Sequence, residues 1–226
     1  MKFTYLFLVL LIFILPLVAG KLYRKTLWLD WKKYLRSAII PILLFTVWDI
    51  LVTNYFWFFN SRYVIGVYLF NLPIEEILFF FIIPYSCLFL WINFDKKITD
   101  IEINIFRWIF FLITFPITVI FLQKDFYYSF IVGLLLIVTV IFDHVQRTYL
   151  FTKLKFYLFL LLVLLLITIF NGILTGLPVI TYASSVKTNL NVFTIPIEDY
   201  GYGVVLVSLI TILYQKSFSK KEENLL

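Results

Sequence analysis

Residues 72–85, LPIEEILFFFIIPY, set two adjacent carboxylates, Glu75 and Glu76, at the head of an apolar run greasy enough for lipid. The device returns at residues 194–210, TIPIEDYGYGVVLVSLI, where Pro196 and Ile197 precede Glu198 and Asp199. One such pair is explained by helix capping: proline pre-sets the first turn, and acids there meet the positive end of the helix dipole, worth about 0.3–1 kcal/mol per charge. A charge at mid-bilayer costs about 2.5–3.5 kcal/mol on insertion scales, and less near an interface. Capping therefore accounts for one acid per helix and accounts poorly for two, twice.

The surrounding composition fixes the class. The 226 residues are 63% hydrophobic and 14% charged, well below the roughly 25% charge of soluble domains. A spanning helix needs about 20 mainly apolar residues, and seven stretches qualify: 3–20, 37–57, 73–94, 104–122, 126–142, 154–174 and 197–214. The net charge of +6 follows the bilayer and does not indicate a nucleic-acid partner. With seven spans and an outer amino terminus, the inner segments hold Lys21, Arg24, Lys25, Lys32, Lys33, Arg36, Lys96, Lys97, Arg107, Arg147, Lys153, Lys155, Lys216, Lys220 and Lys221, and the outer ones keep only Lys2, Arg62, Lys124 and Lys187. Fifteen against four is the positive-inside pattern. It predicts a multi-pass protein of the cell (inner) membrane with its carboxyl terminus inside. The six basic residues between Lys21 and Arg36 oppose export of that segment, so residues 3–20 read as an uncleaved span rather than a signal peptide. The lone Cys87 lies in a span and excludes an internal disulfide, and the lone His144 reads as an interfacial side chain.

The chain also repeats. An offset of 122 carries Lys33 to Lys155, Asp49 to Asn171 and Thr53 to Thr175, and an offset of 123 carries Pro73–Glu76 to Pro196–Asp199. Each half reads as three spans, the second ending in a polar cluster (VWDILVTN, IFNGILTG) and the third opening with the acidic motif. The odd span, residues 104–122, lets both units cross in the same direction. The predicted fold is an all-α integral membrane protein of seven transmembrane helices, with parallel three-helix repeats at 1–95 and 126–226 and a linking helix within 96–125. Both acidic motifs then lie at one depth and face a common cavity.

Five of the thirteen acids, the two pairs and Asp49, lie in or at the edge of spans. Intramembrane acids usually face the bundle interior and mark a functional path. In a dry cavity one carboxyl can hold a proton while a neighbour stays ionised, giving a donor and an acceptor around an apolar slot. Aromatic rings near the acids, Trp48 beside Asp49, Phe79 a turn after Glu75 and Tyr202 a turn after Glu198, can stabilise a cation there. Most of the 27 phenylalanines are lipid-facing filler. Neither phosphate-binding glycine motif nor a Cys/His constellation at metal spacing is present. The residues thus read as proton transfer on a lipid-soluble molecule, with a small proton-coupled transporter as the alternative. A membrane prenyltransferase would need aspartate-rich clusters that the chain lacks.

The paired motifs, each preceded by a helix ending in WD or FNG, resemble the lycopene cyclase domain of the heterodimeric carotenoid cyclases, here with both halves fused. FNLPIEEILFFFIIPY is similar to the first-half signature, and NGILTG with TIPIEDYGYG to the second. The likeness runs over nearly the whole chain. It implies a non-redox β-cyclase that converts the ends of lycopene to β-ionone rings, through γ-carotene to β-carotene. It implies Glu75, Glu76, Glu198 and Asp199 as catalytic residues, with Trp48, Asp49, Phe79, Asn171 and Tyr202 around the substrate. No cofactor or metal is expected, flavin included. The expected partners are lycopene and related carotenoids, the lipid bilayer and other carotenoid enzymes. Asn171 standing where the first half has Asp49 makes the halves unequal in proton supply, which predicts one catalytic cavity rather than two.

Overall fold

A backbone in lipid must satisfy its own hydrogen bonds, and the helix does so within one segment. The computed structural model describes residues 1–22, 31–95 and 100–223. Among them are seven α-helices: α1 (Thr4–Leu22), α2 (Trp31–Val52), α3 (Ile74–Asp95), α4 (Asn104–Gln123), α5 (Tyr127–Gln146), α6 (Leu154–Gly176) and α7 (Ile197–Glu223). Six of these, α2 to α7, are long and apolar enough to cross a membrane, and the apolar run Thr4–Val18 of α1 is shorter. Arg24, Lys25, Lys96 and Lys97 of the charge pattern lie outside the described residues, as do the side chains of Lys21, Lys220 and Lys221.

The packing follows the repeat. α1 lies on α3 as α5 lies on α7; α2 packs on α7, α6 reaches α3, and α3 and α7 meet in the middle. Buried side chains from α2, α3, α6 and α7 form the main core, with Trp91, Phe156 and Phe159 toward one end. α4 stands outside this frame. It packs on α5 and the turn after it, and Thr118 is its buried residue. The two helices approach closely at Gly133, where an added Cβ would stand 2.3 Å from Thr118 Oγ1.

The segments between the helices carry short strands, so the chain is mostly rather than purely helical. β2 (Tyr68–Leu69) and β3 (Leu72–Pro73) form one hairpin, β5 (Asn191–Val192) and β6 (Ile195–Pro196) another. Their registers, Tyr68 with Pro73 and Asn191 with Pro196, coincide at an offset of 123. Both tips hold a phenylalanine at positive φ, Phe70 at 56° and Phe193 at 57°. Both helices start with the same bond, Ile74 N–H to Val67 O and Ile197 N–H to Leu190 O, each 3.0 Å. Pro73 and Pro196 therefore end strands; α3 begins one residue later than its expected start at 73, and α7 begins at 197 as expected. Between the halves, β1 (Trp57–Phe59) pairs antiparallel with β4 (Ile180–Tyr182). Trp57 faces Tyr182 and Phe59 faces Ile180, so an offset of 123 maps the ladder onto itself.

The second span differs from its predicted range of 37–57. It begins at Trp31 and stops at Val52. Asn71 Nδ2 donates to the carbonyls of Ile50 (2.9 Å) and Thr53 (3.2 Å), which removes the need for further helical turns to satisfy them. Asn54 then takes φ of 73°, and the chain turns into β1.

Candidate active site

Successive residues on a helix point about 100° apart, so the members of an acidic pair cannot share a direction. The first member of each pair turns toward the hairpin segment that precedes its own helix. Glu75 Oε1 accepts the Ile65 N–H at 2.6 Å. Glu198 Oε1 accepts the Thr188 N–H at 2.8 Å, the Thr188 hydroxyl at 2.7 Å and the Ser129 hydroxyl at 2.5 Å. Residues 65 and 188 are again 123 apart, so the clamp is duplicated with its motif. In both clamps Oε2 is buried without a hydrogen-bond partner.

The second member of each pair turns the other way. Glu76 and Asp199 line a cavity of about 580 Å³ together with Asp49 and Asn171. Glu76 and Asp199 are each 6% exposed and Asp49 2%. Tyr5 on α1 donates to Glu76 Oε2; its counterpart in the second half, Tyr128 on α5, donates to Asp199 Oδ1 at 3.0 Å. The shells then diverge. Asp199 Oδ2 also receives Tyr182 Oη at 2.6 Å and Asn171 Nδ2 at 3.4 Å. The residue at the position of Tyr182 in the first half is Phe59, which has no hydroxyl to give Glu76. Asp49 Oδ1 receives Tyr202 Oη at 2.6 Å, and Asp49 interacts electrostatically with both Glu76 and Asp199.

Burial of its hydroxyl, and next the Asp199 carboxylate, hold the Tyr182 phenol well above the usual tyrosine range. It therefore remains a proton-bearing donor to Asp199 at neutral pH. The rest of the wall is apolar or aromatic. Trp57 lies 5.3 Å from Tyr128 between ring centroids, Tyr128 lies 6.4 Å from Tyr202, and Phe79 stacks on Phe170 at 5.8 Å. Below the acids the lining continues with side chains such as Ile83, Leu90, Val163 and Leu206. Such a chamber can hold a hydrocarbon against three carboxyls, with ring faces available to a positive charge.

Of the residues singled out in the sequence, Asp49, Glu76, Phe79, Asn171, Asp199 and Tyr202 meet at this cavity. Glu75 and Glu198 lie behind it in the loop clamps. Trp48 is outside the lining, with its ring 5.8 Å from that of Phe56. Sequence reasoning missed Tyr5, Tyr128 and Tyr182, which supply the hydroxyls, and Thr188 and Ser129, which hold Glu198. The offset of 123 between Tyr5 and Tyr128 was the available signal. Tyr182 had none, because its first-half counterpart is Phe59.

A mostly helical chain with membrane-length apolar helices, two matched halves and carboxyls around a greasy cavity has the build of a membrane enzyme for a lipid-soluble substrate. The family model described as lycopene cyclase matches the chain twice, over residues 2–94 and 124–216. The chain belongs to the lycopene cyclase family, with both repeats in a single polypeptide, and is by that membership a carotenoid cyclase. Among curated proteins and solved structures none matches it.

Proposed function

We propose that this chain is a lycopene β-cyclase in which Glu76 is the acid and Asp199 the base. The observation that carries the reading is the unequal setting of two equivalent carboxyls on one apolar cavity. Asp199 receives three hydrogen bonds and so is wholly engaged as an acceptor, which is how an ionised carboxylate behaves. Glu76 has Tyr5 as its partner and a proton to spare for the substrate.

Glu76 gives its proton to the terminal double bond of the polyene, leaving a tertiary cation between the aromatic walls. An internal double bond attacks that cation and closes the ring by a new carbon–carbon bond. Asp199 removes a proton from the carbon next to the relocated charge, restoring a double bond inside the ring. One proton enters and one leaves, so the reaction is an isomerisation and needs no oxidant. Between turnovers Asp199 gives up its proton and Glu76 is reloaded by exchange with solvent hydrogen, with Asp49 and Tyr202 as the polar groups beside the two carboxyls. Glu75 and Glu198 are positioning residues that fix residues 65 and 188 and through them the cover of the cavity. Phe79, Asn171 and Tyr202 contact the substrate.

The same reading includes seven spans, α1 being the first, with the amino terminus outside the cell membrane and the carboxyl terminus inside. The halves 1–95 and 126–226 run parallel about an axis along the membrane normal, joined by a linker within 96–125. The self-matching ladder of β1 and β4 supports this, since a twofold axis through an antiparallel pair produces such a register. Lycopene and related carotenoids, the bilayer and neighbouring carotenoid enzymes are the partners.

The test is cyclisation of lycopene by the purified protein in vesicles made up in heavy water. Each ring formed should carry a single solvent-derived deuterium at the carbon that was protonated, while unreacted lycopene carries none. Rings formed without solvent hydrogen would refute acid catalysis. Absence of any cyclised carotenoid, with proton-coupled flux instead, would favour the transporter alternative.

A further inference from the structure

The two halves differ in one more respect: whether the groove beside the central helices is open. The cavity is lined mainly by α1, α3, α6 and α7, with Asp49 of α2 and Tyr128 of α5 at its acidic end, where Trp57, Phe59, Ile180 and Tyr182 of the β1–β4 ladder cover it. α1 packs on α3 and α6 on α7, but α1 and α6 share no extensive contact. At this gap Leu11, Ile169 and Ile173 line the cavity while remaining 45%, 64% and 39% exposed. The opening therefore faces sideways, along the apolar belt of the helices, where lipid chains lie.

The groove at the equivalent place in the other half, between α5 and α2, is filled. The repeat offsets match Ile167 with Phe45, Gly203 with Phe80 and Phe170 with Trp48. Phe45 and Phe80 are buried, 5% and 0% exposed. The Phe45 ring stands 6.2 Å from that of Phe80 and 4.7 Å from that of Tyr202. On the open side Ile167 packs directly onto Gly203, where an added Cβ would stand 2.6 Å from Ile167 Cδ1, and both residues border the cavity.

We propose that the protein takes one end of its polyene at a time, laterally from the lipid through the α1–α6 gap, because Phe45 and Phe80 close the twin groove. This rests on the cyclase reading above. The volume of about 580 Å³ falls within the range of about 300–1,000 Å³ that holds one compact ligand. It accepts an end group, and the remainder of the chain stays in the bilayer. A second ring then requires the singly cyclised molecule to leave, turn round and re-enter by the same gap.

Two measurements on the full chain in phosphatidylcholine vesicles test this. In the first, a pulse of labelled lycopene is chased with excess unlabelled lycopene. Label should be trapped in the monocyclic product, with doubly cyclised label falling as the chase grows. Label that proceeds to the bicyclic product regardless of the chase would overturn the proposal, whereas no cyclised label at all would overturn the cyclase reading with it. In the second, the exposed rim residue Leu11 and its offset partner Leu134, which is 44% exposed, are each replaced by tryptophan. Leu11→Trp should slow cyclisation by about tenfold or more, a barrier of about 1.4 kcal/mol, and Leu134→Trp should leave the rate unchanged. Equal rates in the two variants would overturn the lateral path.

Discussion

Tyr182 is the residue at which the two halves part company most clearly. Its hydroxyl reaches Asp199 at 2.6 Å, and the offset of 123 places Phe59 at the matching position beside Glu76. Tyr182→Phe therefore writes the first-half residue into the second half. A hydrogen bond to a charged acceptor contributes about 1.5–3 kcal/mol, so the melting temperature should fall, and cyclisation per mole of folded protein should fall by about 10- to 100-fold. An unchanged rate would remove Tyr182 from the site. The acids themselves were legible in the sequence, since carboxyls near lipid are costly enough to call for a reason. Their division of labour was not. Whether Glu75 or Glu76 faces the cavity depends on which way the first helical turn is rotated, and the hairpin that sets this rotation makes its contacts through backbone groups of Ile65 and Val67, which leave no mark on residue type.

At the scale of elements, helix existence followed directly from apolar length, and α3 to α6 begin within a residue of their predicted starts. The connections did not follow. The turn between α5 and α6 shows why. Arg147 and Tyr149 sit at φ of 59° and 51°, a conformation costing roughly 1–2 kcal/mol for each residue that is not glycine. Asp143, fully buried, holds the turn by accepting the Thr148 hydroxyl at 2.5 Å and the N–H groups of Leu150 and Phe151 at 2.9 and 3.1 Å. Nothing in the pattern around Asp143 distinguishes it from an ordinary acid at a helix end. Asp143→Ala orphans three donors and should cost about 2–4 kcal/mol, read as a lowered melting temperature in detergent. Wild-type stability would show that the turn is held by other contacts. The same limitation explains α2, whose early end is set by Asn71, about twenty residues downstream.

For the whole molecule, the duplication was legible from two offsets, and the structure extends it to hairpins, clamps and tyrosine–carboxyl pairs. The asymmetry of the grooves was out of reach, because aligned pairs such as Ile167 with Phe45 are unremarkable until the space between helices is known. The proposed orientation puts Asp125 and Arg147, at opposite ends of the 20-residue α5, on opposite sides of the membrane. The native Cys87 is buried, so single cysteines can be introduced beside it. In intact cells Asp125→Cys should react with a membrane-impermeant maleimide, and Arg147→Cys should react after lysis. The reverse order would invert the topology.

The division of each acidic pair into a cavity-facing acid and a loop clamp is tested most directly by pigment analysis of lycopene-making cells that express Glu76→Gln or Glu75→Gln at measured protein levels. Glu76→Gln should leave lycopene uncyclised although the protein is present, whereas Glu75→Gln should yield cyclic carotenoid in proportion to the folded protein that remains. Wild-type amounts of cyclic carotenoid from Glu76→Gln would contradict that division.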